Sequence, residues 1–269
     1  MNLPSVSRDE LFSLVDKQRD GVQAYLVWAL DMERRAGEGD AQHGSMRMEK
    51  GLDIQHAAEA AELFAECWWG IVVFTCFGSR VGARAAAPYF QRPSPPREAK
   101  AALEQIAFPP GSVGHHRIQP AHKGAKEALV AACDHHGFFR EVLHSGEDFD
   151  TRYQRLRRER LRQWGMTTCF DLLVRAGALG VGGARYLPEF AYLAGSTGPR
   201  RGYELVFGEV LSDERAPWAE AVLQVWPQHW REVADRVGIR WEGEPLYPRD
   251  QENFLCIYQE QFGRKVRVP

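Results

Sequence analysis

Apolar residues recur at intervals of three, four or seven along most of the chain, which is the spacing of an amphipathic helix. Residues 8–36 show it most clearly, with leucine and valine on one face and Gly37 as a natural end. The same spacing predicts helices over residues 54–67, 97–106, 123–136, 152–164, 187–193, 217–237 and 253–262. Only residues 239–241 and 265–268 alternate as short strands do. The pattern therefore predicts a mainly α fold.

Two further segments indicate the domain organisation. Residues 67–77 (CWWGIVVFTCF) are the longest apolar run, shorter than the roughly 20 residues that cross a bilayer and suited to a buried element. Residues 88–96 (PYFQRPSPP) predict a rigid connector, the best candidate for a hinge between lobes. With no internal repeat, residues 1–269 are expected to form a single two-lobed helical domain.

Charge and cysteine content narrow the class of protein. Lys and Arg number 34 against 36 Asp and Glu, but the first 70 residues are acidic and the remainder is basic. Five cysteines without a CxxC spacing predict reduced thiols rather than a disulfide framework. The first residues lack the basic stretch and apolar core of a signal peptide, so we expect a cytoplasmic protein with no membrane partner.

The arginines are concentrated between residues 152 and 201. This segment holds ten Arg against three carboxylates. A solvated charged surface would normally mix both signs, whereas clustered cations gain by displacing counterions from phosphates. The imbalance therefore predicts a nucleic acid partner, with the DNA-contacting part within residues 140–262.

A tight turn follows the arginine-rich helix. Thr167 or Thr168 is expected to cap the next helix, which extends to about residue 175. The free N–H groups of that helix, just after Gly165, would bind phosphate readily. Gly165, Thr167 and Thr168 are therefore predicted to contact DNA.

The arginines before the turn divide into two sets. On a helical wheel Arg155, Arg158 and Arg162 lie opposite the apolar residues, and they are predicted to contact the DNA backbone. Arg157 and Arg160 fall on the apolar side, where a cation needs a partner or a wet cleft. These two are predicted to line a substrate pocket.

Residues 195–202 (GSTGPRRG) are interpreted as a compact loop. Its Arg200 and Arg201 would contact phosphate, and its hydroxyls, Ser196 and Thr197, would bond a sugar or a base edge. Tyr203 is assigned to substrate binding with them. Asp250, in a later polar cluster, is assigned to the same pocket, with helix capping as the alternative.

Three stretches together resemble a known family. GMTTCFDLLVRAG (165–177), LPEFAYLAGSTGPRRG (187–202) and RDQENFLCIYQEQF (249–262) are similar to the α-glutamyl/putrescinyl-thymine pyrophosphorylase family. The resemblance implies a two-lobed helical DNA-glycosylase-like fold with a degenerate helix-hairpin-helix, and double-stranded phage DNA with modified bases as partner. Relatives include enzymes that transfer groups onto modified thymines and phage-defence glycosylases that remove glucosylated hydroxymethylcytosine.

The resemblance also suggests a catalytic carboxylate beyond the hairpin turn. Glu189 lies 21 residues after Thr168 and is the first candidate, and Asp171 is the second. A carboxylate there would stabilise oxocarbenium-like charge on the sugar and orient the attacking water. A favourable position near a helix N-terminus is the structural alternative for both residues. Because no lysine occurs between Lys126 and Lys265, Schiff-base lyase chemistry is not expected.

Other chemistries have less support. Histidines at several positions could form a zinc site, but adjacent histidines rarely both ligate a metal and no cysteine pair complements them. They are His115, His116, His122, His135 and His136. We therefore expect no metal and no other cofactor. The expected activity is that of a monofunctional DNA glycosylase in anti-phage defence. The alternatives are a transferase that substitutes a group on hydroxymethylpyrimidine and a non-catalytic DNA-binding adaptor, and the oligomeric state stays open.

Overall fold

The computed structural model describes residues 3–38, 52–113 and 121–263. The helices are α1 (Arg8–Lys17), α2 (Arg19–Gly37), α3 (Leu52–Ala61), α4 (Cys67–Phe77), α5 (Arg80–Ala86), α6 (Pro96–Gln105), α7 (Ala121–Asp134), α8 (His136–Leu143), α9 (Phe149–Glu159), α10 (Met166–Ala178), α11 (Thr197–Phe207), α12 (Ala216–Arg236) and α13 (Pro248–Phe262). No described residue lies in a strand, so the mainly α prediction is confirmed.

The strand predicted for residues 239–241 is wrong. The backbone N–H of Ile239 donates to Ala234 O at 2.8 Å and so closes the end of α12 instead of pairing with a second strand. The strand predicted for residues 265–268 lies outside the described residues.

The chain divides into two compact units. Unit 1 comprises Met1–Gly51 and Glu189–Pro269, and unit 2 comprises Leu52–Pro188. The candidate hinge at residues 88–96 lies inside unit 2, where Phe90 is fully buried and its carbonyl oxygen accepts from Trp69 Nε1 at 2.8 Å. The chain instead passes between the units at residues 51–52 and 188–189.

In unit 1, α1 begins where the sequence provides a complete cap. The Ser7 hydroxyl accepts from the Glu10 backbone N–H, and the Glu10 carboxylate accepts from the Ser7 N–H. The single helix predicted for residues 8–36 is broken at Gln18 (φ −112°, ψ 31°), which separates α1 from α2. The aromatic centre of the unit 1 core consists of Tyr25, Trp28, Phe254 and Tyr258.

Glycines bring α11 and α13 of unit 1 into close contact. A Cβ atom on Gly202 would lie 2.1 Å from Leu255 O, and one on Gly198 would lie 2.5 Å from Cys256 Sγ. The two glycines are four residues apart, so they share one face of α11. The prediction of a loop over residues 195–202 is therefore wrong from Thr197 onward, because these glycines allow two helices to pack backbone to backbone.

Unit 2 is built around α4. Its residues from Trp68 to Phe77 are all buried, as expected of the longest apolar run. Helices α3, α5, α7 and α10 pack against it. Helix α5 begins at a cap in which the Ser79 hydroxyl accepts from the Val81 N–H, a local signal that the apolar spacing does not contain.

The helix predicted for residues 152–164 is shorter at its C-terminal end. Helix α9 begins after Asp148, whose carboxylate accepts from the Thr151 N–H, and ends at Arg160, which has left-handed backbone angles. The wheel positions assigned to Arg160 and Arg162 therefore do not apply. In the next helix, α10, Gly165 rather than a threonine occupies the N-cap position, and no side-chain hydrogen bond caps the helix.

Two further features bear on the sequence predictions. The five cysteines are free thiols. Within the described ranges, no helix combines the length and the apolar composition that crossing a bilayer requires.

Candidate nucleic-acid interface

The residues predicted to bind DNA and substrate divide between the two units. Unit 2 holds Arg155, Arg157, Arg158, Arg160, Arg162, Gly165, Thr167, Thr168 and Asp171. Unit 1 holds Glu189, Ser196, Thr197, Arg200, Arg201, Tyr203 and Asp250. Each unit therefore carries its own candidate site.

In unit 2, residues 160–165 form the turn between α9 and α10. Arg160 (φ 49°) and Gln163 (φ 66°) adopt there the left-handed backbone conformation that is normally found at glycine. Helix α7 holds the turn, because the Glu127 carboxylate accepts from Arg162 Nη2 at 3.1 Å and from Gln163 Nε2 at 3.0 Å. Hydrogen bonds to α7, which is distant in the sequence, thus stabilise a turn that lacks the usual glycines.

The N-terminus of α10 is open to solvent at this turn. Gly165, Met166 and Thr167 are exposed, and no side chain caps the helix. The first backbone bond of the helix runs from Cys169 N to Gly165 O, so the N–H groups of Met166 and Thr167 have no acceptor among the described residues. Such a terminus suits a phosphate. The side chain of Thr168, by contrast, is buried.

Three of the predicted arginines, in the last turn of α9 and at its C-cap, are exposed without an ion pair in the described part of the chain: Arg157, Arg158 and Arg160. The Arg157 guanidinium lies 5.6 Å from the centre of the Tyr153 ring, and the hydroxyl of that ring lies 3.5 Å from Met166 O. Arg157 is therefore on the side of α9 that faces the first residue of α10.

The remaining arginines of this segment are engaged by protein groups. Arg155 is bonded to Glu147 at 2.8 Å and also to Glu141, which raises the pKa of Arg155. Arg152 is buried, donates to two backbone carbonyls and stacks 3.6 Å from the Tyr186 ring centre. Arg162 is exposed but bonded to Glu127. The cationic surface is therefore smaller than the number of arginines predicts, because about half of them are already neutralised or buried.

Asp171 lies in the second turn of α10, not in the first. Its carboxylate is about one-third exposed and lies 3.6 Å from Arg175 Nη2. Arg175 is buried, bonds Thr75 Oγ1 at 3.1 Å and lies 5.1 Å from the centre of the Phe74 ring. A half-buried carboxylate held next to a fixed cation has a defined orientation, which a catalytic acid or base requires.

In unit 1, the segment that carries Glu189 is held by α12 and is not helical, so the helix predicted for residues 187–193 is wrong. Glu220 is buried, and its carboxylate accepts from Leu193 N at 3.0 Å and from Ala191 N. One turn later, Gln224 Nε2 donates to Glu189 O at 2.5 Å. These bonds replace the helical ones and fix the backbone at Glu189, whose side chain is exposed.

A polar cavity of about 290 Å³ lies at the N-terminus of α11. Ser196, Thr197 and Arg201 line it, and Ser196 Oγ donates to Tyr192 O at 2.9 Å, so no side chain caps the helix. Arg201 is exposed and has no ion pair with a described residue. Arg200 also lines the cavity, but it is bonded to Asp213 at 2.6 Å. The structure thus brings four predicted residues together around one cavity.

Two predicted substrate-binding residues lie in the core instead. Tyr203 is 1% exposed, its ring packs 4.4 Å from that of Phe207, and burial raises the pKa of its hydroxyl. Asp250 is 3% exposed in the first turn of α13. Burial does not favour contact between either side chain and a substrate, and both assignments stay predictions.

Backbone strain coincides with these two places. Among the described residues, the non-glycine residues with positive φ are Arg160, Gln163 and Tyr192 (φ 58°). The first two lie in the turn before α10, and Tyr192 precedes the cavity at α11. Such conformations cost about 1–3 kcal/mol each and cluster at functional sites.

Sequence reasoning missed the residues that hold these sites, namely Glu127, Glu220 and Gln224. Their partners lie 27 to 36 residues away along the chain, so no local pattern points to them. The zinc alternative finds no support in the described residues, where no group of three or more His, Cys, Asp or Glu could hold a metal. His115 and His116 lie outside those residues.

Comparison of the chain with models of known protein families, with curated proteins and with solved structures gives no match.

Proposed function

We propose that the chain binds double-stranded DNA and hydrolyses the N-glycosidic bond of a bulky modified pyrimidine, as a defence against phages whose DNA carries such bases. The observation that carries the proposal is the arrangement between α9 and α10. The end of α9 carries Arg157, Arg158 and Arg160, which have no ion pair in the described part of the chain, and a short turn leads from them to the N-terminus of α10, which no side chain caps. Backbone N–H groups and free guanidinium groups together form a binding site for consecutive phosphates.

Hydrolysis of the glycosidic bond needs a carboxylate held in a fixed position. Glu189 meets this need through its backbone, which Gln224 bonds, and its exposed side chain is accessible to water. Asp171 meets it through its side chain, which Arg175 orients. Either carboxylate can stabilise positive charge on the sugar and direct a water molecule to its anomeric carbon.

Selectivity for a modified base requires room and polar partners for the modification. The cavity at α11 offers hydroxyls from Ser196 and Thr197 and the guanidinium of Arg201. Turning a base out of the stack costs a few kcal/mol. Hydrogen bonds to a bulky polar substituent would offset that cost only for the modified base, and this difference would provide the selectivity.

Incubation of the purified chain with a panel of modified phage DNAs, followed by mass spectrometry of the small molecules released, tests the activity. The expected result is a free modified base and alkali-labile sites in the strand. An intact strand with an altered base mass would point to a group transferase instead. No change in any DNA, despite binding, would leave a DNA-binding adaptor as the function.

DNA binding has a separate test in its salt dependence. Arg157→Ala and Arg158→Ala are each expected to lower the slope of log K against log salt by about one, because each removes one phosphate contact. Arg155→Ala is the matched control from the same helix. Its guanidinium is occupied by Glu141 and Glu147, so the slope should not change. Equal slopes for all three variants and the wild type would contradict the proposed interface.

A further inference from the structure

Helix α7 is bonded to three consecutive residues of the turn before α10. The Glu127 carboxylate accepts from Arg162 Nη2 through one oxygen and from Gln163 Nε2 through the other, at 3.1 and 3.0 Å. The next residue of α7, Ala128, accepts from Trp164 Nε1 at 2.9 Å. The Trp164 indole is buried and lies 4.6 Å from the Phe139 ring. The turn is therefore attached to α7 by a charged group on one side and by a buried ring on the other.

These bonds act where the backbone is strained. Gln163 has a φ of 66°, a conformation that costs a residue other than glycine about 1–3 kcal/mol. The long, unbranched side chain of Gln163 gains nothing locally from that conformation. In this conformation, however, the side-chain amide of Gln163 donates to the Glu127 carboxylate at 3.0 Å. The two hydrogen bonds to Glu127 therefore act at the strained residue and at its neighbour, directly before α10.

We infer that Glu127 is a positioning residue for phosphate binding at the N-terminus of α10. This inference rests on the proposed function. Glu127 itself need not contact DNA, since its two oxygens are already occupied by the turn. Its effect is transmitted through Gln163, which lies two residues before the helix cap Gly165.

The inference predicts that removal of Glu127 lowers the affinity for DNA, whereas charge alone predicts that it raises the affinity. A carboxylate close to a polyanion weakens binding through charge alone, so its removal should raise the affinity for DNA. Loss of Glu127 would also free the Arg162 guanidinium, which again should raise the affinity. If Glu127 positions the turn, its removal lowers the affinity, because the N–H groups of Met166 and Thr167 are no longer held in place.

The experiment compares Glu127→Ala, Glu127→Gln and the control Glu104→Ala in binding to duplex DNA over a range of salt concentrations. Glu104 lines the same cavity of about 570 Å³ as Glu127 but makes no bond to the turn. We expect Glu127→Ala to weaken binding roughly tenfold, the effect of losing one hydrogen bond to a charged group. Glu127→Gln keeps an acceptor for Gln163 and should recover most of the affinity, and Glu104→Ala should bind as well as the wild type or better.

The inference is overturned if Glu127→Ala gains affinity as Glu104→Ala does, or if Glu127→Gln is as impaired as Glu127→Ala. Amide hydrogen exchange in the free proteins provides a test that needs no DNA. Exchange at the two amides of this turn that are hydrogen-bonded, Trp164 N–H to Leu161 O and Cys169 N–H to Gly165 O, should be about tenfold faster in Glu127→Ala and unchanged in Glu104→Ala. A wild-type chain that binds no DNA would refute the proposed function alone, while unchanged exchange in Glu127→Ala would refute the positioning role alone.

Discussion

The contact between α11 and α13 allows a sharp test of the packing in unit 1. In Gly202→Ala, the new Cβ atom would lie 2.1 Å from Leu255 O, 2.6 Å from Leu255 C and 2.8 Å from Leu255 Cα. All three atoms belong to the backbone of α13, so no side-chain rotation relieves the overlap. The helices would have to separate by more than about 1 Å to reach ordinary van der Waals distances of 3.5–4 Å.

The net cost follows from two opposing terms. Overpacking of a core costs about 1–3 kcal/mol, and the better helix propensity of alanine returns about 1 kcal/mol at most. Because the overlap is with backbone atoms, the upper part of the overpacking range applies, and we expect Gly202→Ala to lower the free energy of unfolding by roughly 1–2 kcal/mol. The control is Gly137→Ala in α8, where a Cβ meets nothing within 4 Å, so only the favourable propensity term applies.

Urea denaturation followed by tryptophan fluorescence measures the effect, because Trp226 packs against Phe207 of α11 with ring centroids 6.1 Å apart. Gly202→Ala should unfold at a lower urea concentration than the wild type, and Gly137→Ala at an equal or higher one. If Gly202→Ala is as stable as Gly137→Ala, the close approach of α11 and α13 is refuted, and with it the geometry that places the cavity at the start of α11.

Three other predictions follow. Glu220→Ala removes the buried acceptor of the Ala191 and Leu193 backbone N–H groups, so it should lower the free energy of unfolding in urea by about 2–4 kcal/mol. A loss no larger than the roughly 0.5 kcal/mol of a typical surface substitution would contradict this role of Glu220. The hydrogen bond from the Thr151 N–H lowers the pKa of Asp148 in the folded state, so the carboxylate stabilises the fold above the ordinary carboxyl pKa of about 3.9 and loses this effect as the pH falls through the lowered value. The stability difference between wild type and Asp148→Asn should therefore shrink in acid-denaturation curves below about pH 4, and a constant difference would exclude this cause. Of Glu189→Gln and Asp171→Asn, at least one should abolish base release while DNA affinity is retained, and full release by both would remove these carboxylates from the proposed mechanism.

The sequence predicted helices better than it predicted their ends. The start of α1 and the two ends of α12 match the apolar spacing closely, because both depend on residues within a few positions of each other. The spacing does not predict the kink inside α12 at His229 (φ −122°, ψ 16°), two residues after Pro227. The end of α9 does not match. Apolar residues continue at helical spacing to Trp164, but Arg160 leaves the helix, and Trp164 reaches the core from the turn by bonding Ala128 of α7.

The candidate sites were likewise predictable from the sequence only in part. A high density of arginine between residues 152 and 201 is evident from the sequence, and so is the glycine before α10. The sequence does not distinguish Arg157, which has no ion pair in the described residues, from Arg155, which two glutamates occupy. The sequence also does not reveal that Gly198 and Gly202 of the GSTGPRRG segment allow α11 to pack against α13. Nor does it reveal that other residues of the same segment line a cavity.

The order of apolar and polar residues alone was enough to specify a mainly helical protein with a buried segment at residues 67–77 and a cationic second half, because periodicity and local charge are properties of neighbouring residues. Tertiary structure alone decided which cations stay available, how a turn poor in glycine is held, and why the segment after Glu189 is not a helix. In each case the deciding group, such as Glu127 or Glu220, lies 27 to 35 residues from the group it bonds. Folding brings such pairs together, and no spacing along the chain records them.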